Sequence, residues 1–428
     1  MTESQPKAYD LFIIGAGVAG LAAALFAANR GMSCAQVGLT GEINFASGFM
    51  DLLGVHPIAE KNVLEDPWTG IEGLVHDHPE HPYAKLPKED IQAAFKELLS
   101  FLKKSGLPYH RRMKRNSAVL TCLGTTKPTY CVPRTMWNGV AALEKKKPGL
   151  IIDIRGLKGF SARQIASALQ DSWPDLRTGR ISFPGMDHLN EVYPEHMANA
   201  LELPENRKKL ASLVRPLLHN AHIVGMPAIC GIYRTSEVIS DVENLLETPV
   251  FEIPTIPPSV PGIRLRDTFE KGLRAKGVAS FSRNRVLAVR AKDDRQFELD
   301  IGSKTTENTV EARGIILASG RFIGGGLYAD RQRIKETLFD LTVHQPKSRA
   351  EWHQRDLLDV DGHPVNQAGL EIDDAFRPLN NSHRPAFDHL FAAGSILAHN
   401  DWKRLKCGAG LAIATAFGAV NSFARLCC

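Results

Sequence analysis

The sequence predicts an α/β fold, a mostly parallel, helix-flanked sheet whose domain is interrupted by a second α/β domain. Three observations carry this expectation. The chain opens on the apolar run Tyr9–Gly15, the alanine-rich stretch Ala19–Arg30 and a second short apolar run, Ser33–Val37, which is the order of a β-α-β unit. Two more apolar runs ending in small residues, Gly314–Gly320 and Leu390–Ser395, come late in the chain. A chain of 428 residues also exceeds what one simple core accommodates, and its middle loses the regular pattern of its flanks.

Each element has its own reason. Tyr9–Gly15 is apolar without alternation, as a strand buried on both faces requires. Ala19–Arg30 is a helix with Gly31 as its stop. Gly41–Leu53 is a loop containing glycine and serine. Further on, Leu150–Ile154, a turn through Gly156 and Gly159, and a helix over Ala162–Leu169 form a separate strand–helix unit, with His222–Met226 as another strand. The prolines of Pro254–Gly262 (PTIPPSVPG) interrupt backbone pairing and predict a linker or a rigid loop. After it come a helix over Ile263–Lys276, strands at Arg283–Ala291, Gly314–Ala318 and Leu390–Ala393, and a closing helix over Gly410–Leu426. The expected division gives 1–55, 251–345 and 385–428 to one domain and 56–250 to an inserted domain for substrate or partner. Residues 346–384 are expected to return to the insertion or to serve as connecting loops.

Composition narrows the function. Hydrophobic residues at 43% and charged residues at 23% exclude disorder, collagen and coiled coil. The net charge of +5 is scattered, and short runs such as Lys145–Lys147 and Lys403–Lys406 read as solvated faces, so no nucleic-acid partner is expected and a small anionic substrate fits. No run reaches the roughly 18 consecutive apolar residues of a membrane span, and Met1–Tyr9 lacks the apolar core of a signal peptide. The expected location is cytoplasmic, with any membrane contact made through a partner. Seven cysteines (Cys34, Cys122, Cys131, Cys230, Cys407, Cys427 and Cys428) include no C-x-x-C pair, so reduced thiols are expected and no metal or cluster site.

Gly15-Ala16-Gly17-Val18-Ala19-Gly20 is a G-x-G-x-x-G between a strand and a helix. In that setting Gly15 permits the tight turn, Gly17 lets a phosphate approach the backbone, and Gly20 lets helix and strand pack closely. The helix N-terminus then presents free N–H groups to the anion. The acid expected about 20 residues later is missing: the second strand ends Val37-Gly38-Leu39-Thr40, and Glu42 comes late, in the loop.

The late runs specify the cofactor. Gly314–Gly320, ending in Ala318-Ser319-Gly320, resembles the "ATG" motif of glutathione-reductase-like flavoproteins, where the chain passes close to the flavin. Leu390–Ser395 resembles their final motif, placing Gly394 and Ser395 at the flavin, and Gly408-Ala409-Gly410 opens the last helix. That helix dipole would stabilise the negative charge of reduced flavin, with Lys403, Arg404 and Lys406 adding to it. The fold expected is thus a glutathione-reductase-like Rossmann flavin-binding domain with an inserted α/β domain. Without an acid for the adenosine ribose, FMN is the cofactor expected, with FAD as the alternative. Ser47 and Gly48 follow the second strand, where related chains pass the flavin ring. Arg321 adjoins the Ala-Ser-Gly turn as a cofactor candidate. Arg264 is a candidate for holding phosphate through its planar fork, or else a surface residue. His399 is the candidate proton acceptor for an alcohol oxidation; His81 and His56 rank below it.

With these residues in view, the chain resembles the B-subunit family of anaerobic glycerol-3-phosphate dehydrogenase. Besides the glycine motif, the resemblance rests on Phe45–Gly48 with Asp51–Leu53, His81–Tyr83 and Met226–Ala228. Ile253–Leu265 (IPTIPPSVPGIRL), Ala318–Gly326 (ASGRFIGGG) with Arg331, and Gly394–Gly410 complete it. It implies an FMN-bearing subunit paired with an FAD-containing A-subunit, and an iron–sulfur C-subunit that anchors the complex at the membrane and passes electrons to quinone. The implied reaction converts sn-glycerol 3-phosphate to dihydroxyacetone phosphate. The alternatives are a stand-alone flavin oxidoreductase acting on another small anionic substrate, and an assembly subunit that has lost its flavin.

Overall fold

A computed structural model describes residues 7–39, 42–293 and 295–427, without the side chains of Glu42 and Cys427. Thr40, Gly41 and Cys428, and with Cys428 the terminal cysteine pair, lie outside the described residues. The chain divides into two compact units, Met1–Glu42, Asp51–Leu98 and Phe269–Cys428 in the first, Ile43–Met50 and Leu99–Thr268 in the second.

The first unit is built on a seven-stranded sheet. Its strands are β1 (Lys7–Ile14), β2 (Cys34–Gly38), β3 (Ala279–Ser282), β4 (Arg285–Asp293), β5 (Gln296–Gly302), β6 (Thr306–Leu317) and β7 (Leu390–Ala392). The order is β3-β2-β1-β6-β5-β4, with β7 paired to β6. Strands β3, β2, β1, β6 and β7 are parallel, whereas β4, β5 and the first half of β6 form an antiparallel meander. Two long helices, α1 (Val18–Asn29) and α2 (Gly408–Cys427), pack together through Phe26 and Phe417, whose rings meet edge to face at 5.2 Å. Arg30 locks the pair: its guanidinium bonds the Phe26 carbonyl and Asn421 Oδ1 (2.8 Å) and lies over the Phe417 ring.

Helix α2 meets the length and apolarity of a membrane span, which the count of consecutive apolar residues did not anticipate. Most of it is buried within the protein, with Leu411, Ile413, Ala414, Ala416, Phe417 and Val420 in the core.

The second unit carries a four-stranded parallel sheet in the order Val250–Ile253, Ile223–Pro227, Gly149–Ile154, Leu176–Ile181. Helices Arg134–Lys145, Ala162–Leu169, Pro204–Leu218 and Thr235–Leu246 accompany it. Its core includes Ile151, Ile152, Trp173, Val224, Val238 and Phe251.

The division falls elsewhere than expected. Residues 56–98 and 346–384 belong to the first unit, and 43–50 and 251–268 to the second. The chain rejoins the first unit at Asp51–Val55. Asp51 O accepts the N–H of Gly410 (2.6 Å), and Leu405 O accepts those of Gly54 and Val55, tying this segment to the start of α2. The proline stretch is no linker. Helix Val260–Ala275 begins inside it, because a proline in the first helical turn forfeits no internal hydrogen bond. The hydroxyl of Ser259 accepts from Gly262 N and donates to Ala46 O, fastening the stretch within the second unit.

Candidate functional site

Three chain segments meet at the C-terminal ends of the parallel strands of the first unit. Gly15 N donates to Val37 O (2.8 Å), Ala318 N to Ile14 O (2.8 Å), and Ala393 N to Leu317 O (3.1 Å). The ends of β2, β1, β6 and β7 are therefore stitched side by side, the place where open α/β sheets bind ligands. Gly15 has φ of 137°, and a β-carbon there would overlap the Ala318 carbonyl, so only glycine closes this turn. Gly394 has φ of 81°, and a β-carbon on it would sit 2.7 Å from that of Ala19. The third motif thereby reaches the first turn of α1. Its amide is fixed by Thr415 of α2, which accepts from Gly394 N at 2.9 Å and donates to Leu411 O.

These features fit a bound flavin nucleotide. Residues 15–18 remain partly exposed while the surrounding strands are buried. Gly17 caps α1 without a side chain, so the first-turn N–H groups of α1 face outward with the positive end of the dipole. Ser319 Oγ is buried with no hydrogen-bond partner, a polar atom that a ligand would satisfy. Arg321 Nε donates to Ser395 O (2.6 Å) and Nη2 to Leu397 O and Asn400 O, and Nη1 bonds Asn366 O. Burial lowers its pKa to about 10, with Asp401 acting in the opposite sense. Arg321 therefore braces the 395–400 segment by donating to carbonyls and adds positive potential beside Ser395.

The remaining sequence candidates separate. Gly408 and Ala409 open α2, and Gly410 spends its N–H on Asp51 O. Lys403 and Arg404 fall in a short helix, Trp402–Leu405, and Arg404 bonds the Val360 carbonyl. Ser47 and Gly48 belong to the second unit, where Gly48 O accepts the Tyr109 hydroxyl at 2.8 Å. Arg264 is corrected outright: it is neither a surface residue nor free to hold a phosphate. Its fork closes on Glu252 at 2.6 and 2.9 Å, its Nε donates to Gly231 O, and both side chains are buried. His399 Nε2 lies 2.8 Å from Glu371 Oε1, and its ring centre is 4.1 Å from that of His344. His56 pairs with Asp77, and His81 Nδ1 accepts from Tyr83 N.

Sequence reasoning missed Gln36, Thr415, His344 and Glu371. Gln36 Nε2 donates to Gly15 O (2.9 Å), and one polar residue in a buried apolar strand was its available signal. Thr415 had none, being a hydroxyl inside a helix that also bonds its own preceding turn. Glu371 stands 28 positions from His399, too far for any local motif.

Strand ends, glycine turn and bare helix terminus define a flavin-binding protein, and the chain belongs to the FAD binding domain family, whose pattern matches residues 10–411. Relatives named as the B-subunit of anaerobic glycerol-3-phosphate dehydrogenase match it along nearly its whole length. The protein of Yersinia pestis bv. Antiqua (strain Antiqua) is 29% identical over 419 residues, covering 95% of this chain and 96% of that one. That of Vibrio vulnificus (strain CMCP6) is 28% identical over 428 residues, covering 96% and 95%. The resemblance carried by the sequence motifs is borne out in these relatives. Among solved structures, 3-ketosteroid Δ1-dehydrogenase from Sterolibacterium denitrificans gives a TM-score of 0.45 at 12% identity, over 98% of this chain and 100% of that one. The open form of a flavocytochrome c3 fumarate reductase gives 0.46 at 11% identity, over 98% and 79%.

Proposed function

We propose that this chain is the flavin-bearing B-subunit of a glycerol-3-phosphate dehydrogenase, in which sn-glycerol 3-phosphate is oxidised to dihydroxyacetone phosphate. The observation that carries the reading is the convergence of three strand ends on the Gly15–Val18 turn and the bare N-terminus of α1. It is joined by relatives of that name matching almost end to end.

Bound flavin supplies the acceptor for two electrons. The chain's own residues do the rest. The amides of residues 17–20 hold the phosphate, Ser319 Oγ offers a hydrogen bond, and Arg321 supports negative charge near Ser395. Gly394, Ser395 and Gly408–Gly410 are the further flavin contacts proposed. His399, oriented by Glu371, is the proposed acceptor of the substrate hydroxyl proton.

The flavin proposed is FMN, because β2 ends at Gly38 and is followed by the exposed Leu39, so that among the described side chains no carboxylate stands at the strand's end for an adenosine ribose. The family match favours FAD. The partners proposed are an FAD-containing A-subunit and an iron–sulfur C-subunit that holds the complex at the membrane and passes electrons to quinone. A cytoplasmic position at that membrane follows from those partners.

The test is direct. Heat-released cofactor should be FMN; release of FAD would overturn that choice, and a chain purified without any visible flavin band would sink the flavin reading itself. Bleaching by sn-glycerol 3-phosphate is expected in the assembled complex. Bleaching of the isolated chain would assign it the substrate site, whereas bleaching only with the partners present would make it a relay. Turnover of a different small anion by the isolated chain, with none of sn-glycerol 3-phosphate in either form, would replace the proposal with a stand-alone oxidoreductase.

A further inference from the structure

We infer that His344, Glu371 and His399 form a binding site for one divalent transition-metal ion of the zinc type. Two imidazoles and a carboxylate are a ligand set that zinc accepts, with a further position open to water or another ligand. The donor atoms are already gathered. Glu371 Oε1 lies 2.8 Å from His399 Nε2 and 3.4 Å from His344 Nδ1, and all three atoms fall within 4.8 Å of one another. Tetrahedral zinc with bonds of about 2.0–2.1 Å holds its ligand atoms about 3.3–3.4 Å apart. The His344–Glu371 pair already stands at that spacing, and the His399–Glu371 pair opens by about half an ångström as the ion replaces the shared proton between carboxylate and imidazole.

The backbone explains why three distant residues converge. His344 and Gly369 exchange both hydrogen bonds of an antiparallel bridge, at 2.8 and 3.0 Å. Leu370 N donates to Ile396 O and Ala398 N to Leu370 O, a parallel bridge that sets the 396–399 segment against the segment carrying Glu371. His399 N is held by Gln367 O at 3.0 Å, and its φ of 58° is a left-handed conformation of the kind found at ligand clamps. Each ligand thus stands on a segment braced against its neighbour, which is the preorganisation a metal site needs. Access is available as well. The His344 side chain is 41% exposed, against 16% for His399, so an ion enters from the His344 side. Glu80 adds its negative field at His344.

Metal and proton compete for His399 Nε2, so a filled site would hold the proposed proton acceptor in its unprotonatable form. Binding itself does not depend on that role or on the flavin reading. The test titrates zinc chloride into the full chain with its flavin, after dialysis against a chelator, by calorimetry. One equivalent is expected for the wild type. His344→Ala and Glu371→Gln should each weaken it by at least the ~10–100-fold that even outer-shell changes cost, with flavin absorbance and far-UV circular dichroism unchanged. No bound equivalent in the wild type, or equal affinity in both variants, would show a hydrogen-bonded cluster only and overturn the site. His344→Ala removes the most exposed of the three side chains, so the comparison stands even where changes at the less exposed His399 disturb folding.

Discussion

Arg264 and Glu252 show how much one buried pair commands. Burial favours the neutral carboxyl of Glu252, yet the charge and hydrogen bonds of Arg264 outweigh it and hold that carboxyl below its ordinary range. Cys230 N also donates to Glu252 Oε1 at 2.6 Å, so the acid serves two segments of the second unit. Arg264→Met would strand a buried carboxylate, and a loss of about 3–5 kcal/mol is expected from urea unfolding, with flavin content unchanged. Adding Glu252→Gln should restore part of it. His81 sets a different kind of sensitivity. Burial, reinforced by His78, His399 and His56, pushes its pKa down to about 3. Between pH 6.5 and 3 the unfolded chain binds a proton there and the folded one does not. His81 therefore leaves stability intact above pH 6.5 and lowers it as the solution turns acid, by up to about 1.4 kcal/mol per pH unit. His81→Asn keeps an acceptor for Tyr83 N, and the slope of unfolding free energy against pH should flatten over that window.

At the scale of elements, the cradle depends on how closely α1 and the segment after β7 approach. Gly394→Ala forces a β-carbon against Ala19 and a left-handed φ on a residue that resists it. Loss of visible flavin absorbance per mole of chain is expected, larger than the accompanying loss of thermal stability. The same elements explain what was legible beforehand. Tyr9–Gly15 and Leu390–Ala393 were readable because apolar runs bounded by small residues leave little choice of structure, and Ala162–Leu169 because Ala162, Ile165 and Leu169 recur at helical spacing. Of the meander, Arg283–Ala291 was read as a strand, and the two partners that follow it were not. Gln296–Gly302 alternates its buried residues Phe297, Leu299 and Ile301 with polar ones, and Thr306–Leu317 is polar in the half that pairs with it. Only the apolar end of that long strand announced itself. In the site, glycine spacing revealed the turn and the strand ends. The partners of His399 and the burial of Arg264 arise from residues brought together by the fold, beyond the reach of local pattern.

For the whole molecule, the flavin should act as a folding ligand. A ligand at 100 times its dissociation constant adds about 2.7 kcal/mol to the state that binds it. Removing the flavin is expected to lower the midpoint of thermal unfolding, and adding it back should restore the midpoint; an unchanged midpoint would mean that the Gly15 turn is not its seat. The strand order has a last consequence, for synthesis. Lys7 pairs with Val310 and Ile14 with Leu317, while Gly394 closes on Ala19. The ribosome therefore delivers the first strand and its helix long before their neighbours exist, whereas strands 149–253 of the second unit are complete much earlier. Apolar residues such as Phe12, Ile13 and Phe26, fully buried at the end, spend most of translation without their cover, a period in which chaperones have their strongest claim on the chain. Flavin loading is then a late event, and nascent chains that stop short of Gly394 are born without a seat for it.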